Sequence, residues 1–410
     1  MAILWDESFL WGVMAYRAFE RACLPYRLVT AAEVTRGILD EYALLYVPGG
    51  WASNKIKALG DAGAEKIRQF VRDGGTYVGI CGGAGLATNE GLGLVDIKRV
   101  PTRRRVPSFS GAIRLSLRDD PLWNGIDEPV FCAWWPSQFD VGEKVEILAR
   151  YGEALPGAFS SDVNVSDALA AGGWKELEEH YGINLDPGRM IDEPAVVRSS
   201  YGRGTVLLSL AHFDSPDDKN GETVLRTIWD RYGNADMSVG PDATKTHSTA
   251  FVADPNASNQ ASDLARKVDD LIDTGTRNFL WFRRNSLLFQ WRRGVRGLEY
   301  CTLKVMMDEL MTLLPEGRSL GTAFIEENIA AIGNVLVPFA EEARLLLLME
   351  RQALLREKLT FETASDPRIR SLRERLFSSA KSHGGLFKEV IDGMSALLYA
   401  LLTRQSVPRE

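Results

Sequence analysis

Short apolar runs that end in glycines alternate with amphipathic stretches through the first 230 or so residues. "YALLYVPGG" (42–50) and "TYVGI" (76–80) are nearly continuous apolar runs, and each leads into closely spaced glycines. Between them, "GAEKIRQFVRDGG" (63–75) repeats its apolar residues at helical spacing and ends in a glycine pair. Strand, helix and strand in this order predict an α/β fold with a doubly wound, mostly parallel sheet. Ligands bind at the carboxyl edge of such sheets, where the loops after these two runs would meet.

The composition of the chain changes after Gly233. Residues 234–262 are small, polar and proline-containing, which is typical of a linker. Beyond them, apolar residues recur at heptad-like spacing, which predicts an all-α bundle of about five helices. Because 410 residues are too many for one ordinary core, we predict an α/β domain over 1–233, a linker over 234–262 and a helical bundle domain over 263–410. The bundle is a candidate surface for a protein partner or for a second copy of the chain.

Charge and cysteine spacing exclude several classes of protein. The net charge of −7 argues against a general nucleic-acid binder, because neutralising phosphates needs a cationic surface. Without a CxxC pair or an uncharged apolar run of about 18 residues, we predict no zinc ribbon, no disulfide framework and no membrane-spanning helix. The acidic start of the chain is unlike a signal peptide, so we expect a cytoplasmic protein, and we expect neither a metal nor an organic cofactor. The four cysteines are Cys23, Cys81, Cys132 and Cys301.

The stretch "TYVGICGGAGLA" (76–87) places a cysteine on a glycine-rich turn between a strand and a helix. A nucleophile on so sharp a turn needs small residues two positions before and after it, and Gly79 and Gly83 stand there around Cys81. The amides that follow would favour the thiolate. The alternative is a glycine-padded corner with a buried cysteine that packs as a small apolar residue. The backbone amides predicted to line the oxyanion or substrate site belong to Gly49, Gly50, Gly82 and Gly83.

A base for this cysteine is predicted in "GTVLLSLAHFD" (204–214). His212 follows a strongly apolar strand, and Asp214 lies two residues later, on the same side if the strand continues. A thiol, an imidazole and a carboxylate are the groups of a cysteine-dependent acyl transfer site. The alternative for His212 is a hydrogen-bonded histidine at the end of a strand.

Three motifs together resemble a known family. "VPGG", "IRQFVRDGGTYVGICGGAGLA" and "YGRGTVLLSLAHFD" follow one another as in a class I glutamine amidotransferase-like domain, and they are most similar to the biotin-protein ligase N-terminal domain. The resemblance covers about residues 1–232. It implies a flavodoxin-like fold, a catalytic triad of Cys81, His212 and Asp214, and oxyanion donors near Gly50 and Gly82.

The chain also departs from that family. The glutamine that active glutaminases carry four residues after the nucleophile is Gly85 here, and the family's His-Pro-Glu is His212-Phe213-Asp214. These changes argue against glutamine as the substrate, and no biotin-attachment loop follows residue 262. Two hypotheses remain open. One is a cysteine-dependent amidohydrolase or acyl or amide transferase acting on a small amide or acyl compound. The other is a non-catalytic ligand- or partner-binding module with a helical assembly domain.

Two further stretches are candidates for substrate contact. In "CAWWPSQFD" (132–140), Trp135 and its neighbour Trp134 could form a ligand wall, although paired aromatic residues more often cover a core or an interface. "KRVPTRRRVP" (98–107) is a basic loop that could bind a carboxylate or phosphate through Arg103 or its neighbours. The alternative is a solvated loop. The loop's cationic residues are Lys98, Arg99, Arg103, Arg104 and Arg105.

Residues 277–297, "RNFLWFRRNSLLFQWRRGVRG", interleave aromatic residues with arginines. We favour a buried bundle helix whose arginines extend to the surface, because the rest of the domain offers apolar stripes for packing. The alternative is an interfacial helix that lies on an anionic membrane surface. Residues 152–193 form an insertion with a predicted helix near its middle.

Overall fold

The structure, a computed structural model, describes residues 1–233, 255–316, 320–378 and 382–403. The chain divides into two compact units, an N-terminal one described up to residue 233 and a C-terminal one described from residue 255. The first part of the predicted linker, 234–254, lies outside the described residues.

In the N-terminal unit, strands and helices alternate over about the first 86 residues, and a run of strands without an α-helix between them follows. Its strands are β1 (Ala2–Leu4), β2 (Arg27–Val29), β3 (Leu44–Val47), β4 (Thr76–Ile80), β5 (Ile97–Arg99), β6 (Phe109–Leu117), β7 (Val130–Trp134), β8 (Phe139–Val141), β9 (Glu146–Ala154), β10 (Phe159–Ser160), β11 (Val163–Asn164), β12 (Pro194–Tyr201) and β13 (Gly204–Ser209). Its helices are α1 (Phe9–Arg21), α2 (Ala31–Thr35), α3 (Ala52–Arg72), α4 (Gly82–Leu86), α5 (Val165–Ala170), α6 (Lys175–Tyr181) and α7 (Lys219–Tyr232).

Five parallel strands form one half of the main sheet, in the order β2-β1-β3-β4-β13. This is the flavodoxin-like strand order, so the predicted α/β fold is confirmed. Val47 of β3 pairs with Gly79 of β4, and Ile80 of β4 pairs with Ser209 of β13. The loops after these three strands therefore leave the sheet side by side at its carboxyl edge.

The other half of the sheet is antiparallel and makes the whole a mixed sheet of 11 strands. It contains β12, β9, β6, β10 and β11 in that order, with β7 also paired to β6. Short connections such as the Gly202–Arg203 turn between β12 and β13 are too short for a crossover, so these strands run antiparallel. The insertion 152–193 supplies the end of β9, strands β10 and β11, and helices α5 and α6.

The C-terminal unit is mostly helical, as predicted. Its five helices in the described residues are α8 (Pro255–Arg277), α9 (Gly297–Leu313), α10 (Thr322–Ala353), α11 (Pro367–Phe377) and α12 (Gly385–Thr403). Helix α8 begins inside the predicted linker 234–262, so the last part of that prediction is wrong. The backbone N–H groups of the first helical turn make no hydrogen bond within the helix, so proline, which lacks this N–H, is tolerated there. Pro255 is therefore compatible with the start of α8. Within the described residues, no helix combines the length and apolar character needed to cross a membrane.

Apart from its first and last residues, which end α8 and begin α9, the stretch 277–297 is not helical, so both helical interpretations of it are wrong. The stretch contains an antiparallel hairpin of β14 (Trp281–Arg283) and β15 (Phe289–Trp291). Aromatic residues fit a pleated strand well, and Trp281 pairs directly with Trp291 across the hairpin. The ring of Trp281 packs 5.0 Å from that of Tyr300 on α9, which fixes the hairpin to the bundle.

Candidate active site

Cys81 lies between β4 and α4 in a backbone conformation that few residues adopt. Its φ is 49° and its ψ is −102°. Positive φ is costly for a residue with a side chain, so the surrounding structure must hold this geometry in place. The Cys81 amide donates to the carbonyl of Ser209 at 2.7 Å, which ties the turn to β13.

Glycines make this turn sterically feasible. A Cβ on Gly79 would lie 2.6 Å from the carbonyl oxygen of Gly83, and a Cβ on Gly83 would overlap the carbonyl of Val47. These neighbours are backbone atoms, which cannot rotate away. A Cβ on Gly85 would meet only ordinary contacts, the nearest being Ala52 at 3.7 Å. The glycines at 79 and 83 are therefore required by packing, and the glycine at 85 is not.

His212 and Asp214 lie together beneath this turn, and both are fully buried. Nδ1 of His212 is 2.9 Å from Oδ1 of Asp214. The two residues stand in the turn after β13, which ends at Ser209, so the expected continuation of the strand is wrong although the side chains still meet. The intervening Phe213 points into an aromatic cluster with Phe131, their ring centroids 5.5 Å apart.

Two residues that the sequence analysis did not identify complete the surroundings of the pair. The hydroxyl of Tyr46, on β3, donates to Oδ2 of Asp214 at 3.1 Å. Burial and the neighbouring Asp214 raise the pKa of Tyr46 well above its usual value, so its hydroxyl keeps its proton and remains a donor. The ring of Trp11, on α1, stacks on His212 with centroids 4.8 Å apart. In the sequence, the one signal for the contact between Tyr46 and Asp214 is the position of Tyr46 near the end of a predicted buried strand.

The charge state of His212 is set by opposing effects. Burial disfavours the imidazolium, but Asp214 and then Cys81 favour it more strongly, and together they raise the pKa of His212 from 6.5 to about 9. Because Nδ1 is bound to Asp214, Nε2 is the ring nitrogen that is left to interact with other groups. Among the described residues, Nε2 has no partner that meets hydrogen-bond geometry, although Cys81 is close enough to interact with the ring.

The glycines predicted to supply oxyanion donors come together at one point. A Cβ on Gly82 would overlap the carbonyl of Gly50 and would lie 2.8 Å from its amide nitrogen, so the turns after β3 and β4 touch. Gly50 has a φ of 110°, and a Cβ there would lie 2.8 Å from the carbonyl of Glu7. A Cβ on Gly49 would be 3.0 Å from Trp11 and 3.3 Å from the imidazole of His212.

The tryptophan pair lies beside the site. The thiol of Cys81 donates to the carbonyl of Trp134 at 3.9 Å, and the indole of Trp134 donates to the hydroxyl of Ser215 at 2.8 Å. Trp135 is half-buried, and its ring meets that of Trp11 edge-on, 6.3 Å away. Trp135 thus contacts the residue that stacks on His212.

The basic loop turns one arginine toward Cys81, and it is not Arg103. Arg103 is exposed, and its carbonyl accepts a hydrogen bond from Asn184 at 3.3 Å. Arg105 is half-buried and interacts electrostatically with Cys81. As for metals, no group of three or more histidine, cysteine or acidic side chains in the described ranges is arranged to bind an ion.

The segment that carries Cys81 matches a known family model. Residues 38–93 match "Biotin-protein ligase, N terminal". The matched segment contains β3, α3, β4 and α4, and hence Cys81 and the glycine turns. The resemblance is confirmed here, whereas His212 and Asp214 lie beyond the matched segment. No curated protein sequence matches the chain.

Several solved structures are similar to the chain. A β-galactosidase from Bacillus circulans sp. alkalophilus has 15% identity and a TM-score of 0.37 over 56% of this chain and 30% of that one, so this chain spans less than a third of it. A candidate GMP synthase component from Thermoplasma acidophilum has 11% identity and a TM-score of 0.35 over 55% and 90%. A glutamine amidotransferase from Thermotoga maritima has 12% identity and a TM-score of 0.32 over 56% and 81%. Because these scores are low, none of the likenesses bears on activity.

Proposed function

We propose that the N-terminal unit is a cysteine-dependent amidohydrolase or an acyl or amide transferase. The observation that carries the proposal is the fully buried His212, which binds Asp214 through Nδ1 at 2.9 Å and interacts with Cys81 on the strained turn. A thiol next to an imidazole that is oriented by a carboxylate is the arrangement needed to activate a cysteine nucleophile. The turn around Cys81 then acts as a nucleophile elbow.

In the proposed reaction, Sγ of Cys81 attacks the carbonyl carbon of an amide or ester while Nε2 of His212 takes the thiol proton. The carbonyl electron pair moves to oxygen, where the amides of Gly50 and Gly82 are the candidate donors. The bond from carbon to nitrogen or oxygen then breaks, and Nε2 returns the proton to the leaving amine or alcohol, which leaves a thioester on Cys81. Water, or an acceptor amine in a transferase, attacks the thioester, and its proton passes through Nε2 to the thiolate.

The residues around His212 are arranged to support these proton transfers. Asp214 holds Nδ1 and thereby directs Nε2 to the proton of the thiol, while the hydroxyl of Tyr46 holds the carboxylate from its other oxygen. Although burial lowers the pKa of His212, Asp214 and Cys81 together raise it to about 9, which stabilises the imidazolium that forms when Nε2 takes the thiol proton. None of the four cysteines, which all lie in the described residues, is in a disulfide, and a reducing compartment such as the cytoplasm would keep Cys81 as the thiol that the reaction needs.

The acyl intermediate provides the direct test of this function. With p-nitrophenyl acetate as the probe, we expect a burst of p-nitrophenolate and an acetyl group on Cys81 by peptide mass spectrometry. A Cys81→Ala variant should lack both, and His212→Ala should slow acetylation by about 100-fold. Exposed Cys23 serves as an internal reference thiol. If Cys81 is acetylated no faster than Cys23, or independently of His212, the proposal fails and the non-catalytic binding module is favoured.

A further inference from the structure

The short segment 134–138 connects the thiol of Cys81 to an arginine. Its first residue, Trp134, accepts the thiol of Cys81 through its carbonyl at 3.9 Å. Two residues later, the carbonyl of Pro136 accepts a hydrogen bond from Nη1 of Arg105 at 3.1 Å. Both the nucleophile and this guanidinium group are therefore held by one stretch of backbone.

A second arginine approaches the same place from β5. Nε of Arg99 donates to the hydroxyl of Ser137 at 3.3 Å, so it too is anchored on segment 134–138. Arg99 also lies close to Gly85, since a Cβ there would lie 3.9 Å from Cδ of Arg99. Its side chain therefore approaches α4, the helix that begins directly after Cys81.

Gln138 fixes the loop that carries Arg105. The backbone carbonyl of Gln138 accepts from the amide of Val100 at 2.9 Å, and its side-chain Oε1 accepts from the amide of Val106 at 2.8 Å. The side chain of Gln138 is almost completely buried. Gln138 thus binds the backbone at both ends of residues 100–106, and this anchors the segment that carries Arg105.

The two guanidinium groups have donors to spare. Arg105 and Arg99 each donate one hydrogen bond to the protein within the described residues, of the five N–H groups that an arginine carries. Burial and the positive charge of Arg99 lower the pKa of Arg105, while Cys81 raises it. Two like charges held close together repel each other, and a bound anion would relieve that repulsion.

We propose that Arg99 and Arg105 form an anion subsite, and that the substrate of Cys81 carries a carboxylate or phosphate close to the carbonyl that is attacked. The inference rests on the proposed function of Cys81 and names the substrate class for it. An arginine fork binds either anion through paired hydrogen bonds. A purely apolar acyl group would not use this subsite.

Two alkylating probes that differ in charge test the subsite without a known substrate. Iodoacetate carries a carboxylate and iodoacetamide does not, and the ratio of their alkylation rates cancels any change in the thiolate fraction of Cys81. At about 0.15 M salt, where distant charges are screened, we expect this ratio to be about tenfold higher at Cys81 than at Cys23. We expect Arg105→Gln and Arg99→Gln each to lower the Cys81 ratio severalfold.

Arg104→Gln is the matched control, since Arg104 is exposed in the same loop and carries the same charge. A ratio at Cys81 equal to that at Cys23, or lowered equally by Arg104→Gln, would overturn the subsite. If Arg105→Gln does not fold, Arg99→Gln alone tests the subsite, because Arg99 is exposed. Failure of the proposed function is a separate outcome, namely iodoacetamide labelling of Cys81 that does not depend on His212.

Protection experiments distinguish the two anions. At constant ionic strength, acetate and inorganic phosphate are compared for their ability to slow iodoacetamide labelling of Cys81. We expect at least one of them to protect in the wild-type protein and not in Arg105→Gln, and the stronger one identifies the anionic group. Absence of protection by both would contradict the subsite.

Discussion

The imidazole of His212 and the carboxylate of Asp214 are both completely buried and meet at 2.9 Å through Nδ1 and Oδ1. A buried charge needs a partner, and each group supplies one for the other. The pair also interacts with Cys81 at the end of a neighbouring strand. The site therefore depends on an electrostatic interaction formed out of contact with solvent.

Asp214→Asn tests this interaction. An asparagine removes the negative charge that favours the imidazolium, so the pKa of His212 should fall and Cys81 should behave more like an ordinary thiol. We expect the rate of Cys81 alkylation by iodoacetamide at pH 6 to fall by about tenfold or more. Asp217→Asn, at an exposed position in the same loop, is the control and should leave the rate unchanged. Equal rates in Asp214→Asn and wild type would rule out a role for the carboxylate.

Tyr46→Phe tests the support of Asp214. The change leaves Oδ2 of a buried carboxylate without its donor, and we expect it to lower the free energy of unfolding by about 1–3 kcal/mol. Because Asp214 would lose one of its hydrogen-bond donors, the strength of its interaction with the His212 imidazolium should change. The pH profile of Cys81 alkylation should therefore shift as well. Tyr26→Phe is the control, since its hydroxyl also donates to a carboxylate, that of Glu20. A stability loss without any shift in the profile would make Tyr46 merely structural.

The glycines of the turn predict opposite outcomes at two neighbouring sites. Gly79→Ala forces a Cβ to 2.6 Å from a backbone carbonyl, and we expect it to destabilise the protein by about 3 kcal/mol or more. Gly85→Ala meets only ordinary contacts within helix α4 and should be neutral or stabilising by up to about 1 kcal/mol. Chemical denaturation measures both, with Gly157→Ala, which meets nothing within 4 Å, as the control. Equal losses at 79 and 85 would show that the turn geometry is wrong.

Lys55 gives the N-terminal unit a pH-dependent stability. Its side chain is fully buried and donates to the hydroxyl of Ser8 and to the carbonyl of Glu7. Burial lowers its pKa from 10.5 to about 7, against the opposing influence of Glu7 and Asp6. Between pH 7 and 10.5 the unfolded chain binds more protons than the folded one, so the free energy of unfolding rises with pH. The contribution of Lys55 is fully present above pH 10.5 and is lost as the pH falls through 7.

The variant Lys55→Met isolates this effect. Between pH 7 and 9, the free energy of unfolding of the wild-type protein should rise relative to that of Lys55→Met, by at most about 1.4 kcal/mol per pH unit. His212, whose pKa is raised to about 9, has the opposite effect in this range, losing stability as the pH rises. It is present in both proteins and cancels from the difference. Lys57→Met, exposed on the same helix, is the control, and a flat difference for Lys55→Met would refute the prediction.

The sequence predicted the parts of this site that depend on local patterns. Glycines at fixed spacing around Cys81 reflect the sterics of one turn, and His212 and Asp214 are two residues apart after an apolar strand. The mostly parallel sheet followed from alternating strands and helices, and the flavodoxin-like fold was implied by the family resemblance. These features need no knowledge of distant contacts.

Contacts between distant segments could not be predicted in this way. Tyr46 and Asp214 meet only because β3 and β13 flank β4, a relationship set by the sheet. In the basic loop, five cationic residues look alike in sequence, and the anchoring on Gln138 decides that Arg105 turns inward. The aromatic and arginine-rich stretch 277–297 fits helical and strand spacing about equally, and cross-strand pairing resolves it as a hairpin.

The central claim is that His212 activates Cys81, and the pH dependence of Cys81 alkylation in wild type and His212→Ala tests it most directly. We expect the wild-type Cys81 thiol to react with iodoacetamide at pH 6 about tenfold faster than the Cys23 thiol, and the His212→Ala protein to lose this excess. Peptide mass spectrometry resolves Cys81 from the exposed reference Cys23. A wild-type Cys81 that reacts no faster than Cys23 at pH 6, with no dependence on His212, would contradict the claim.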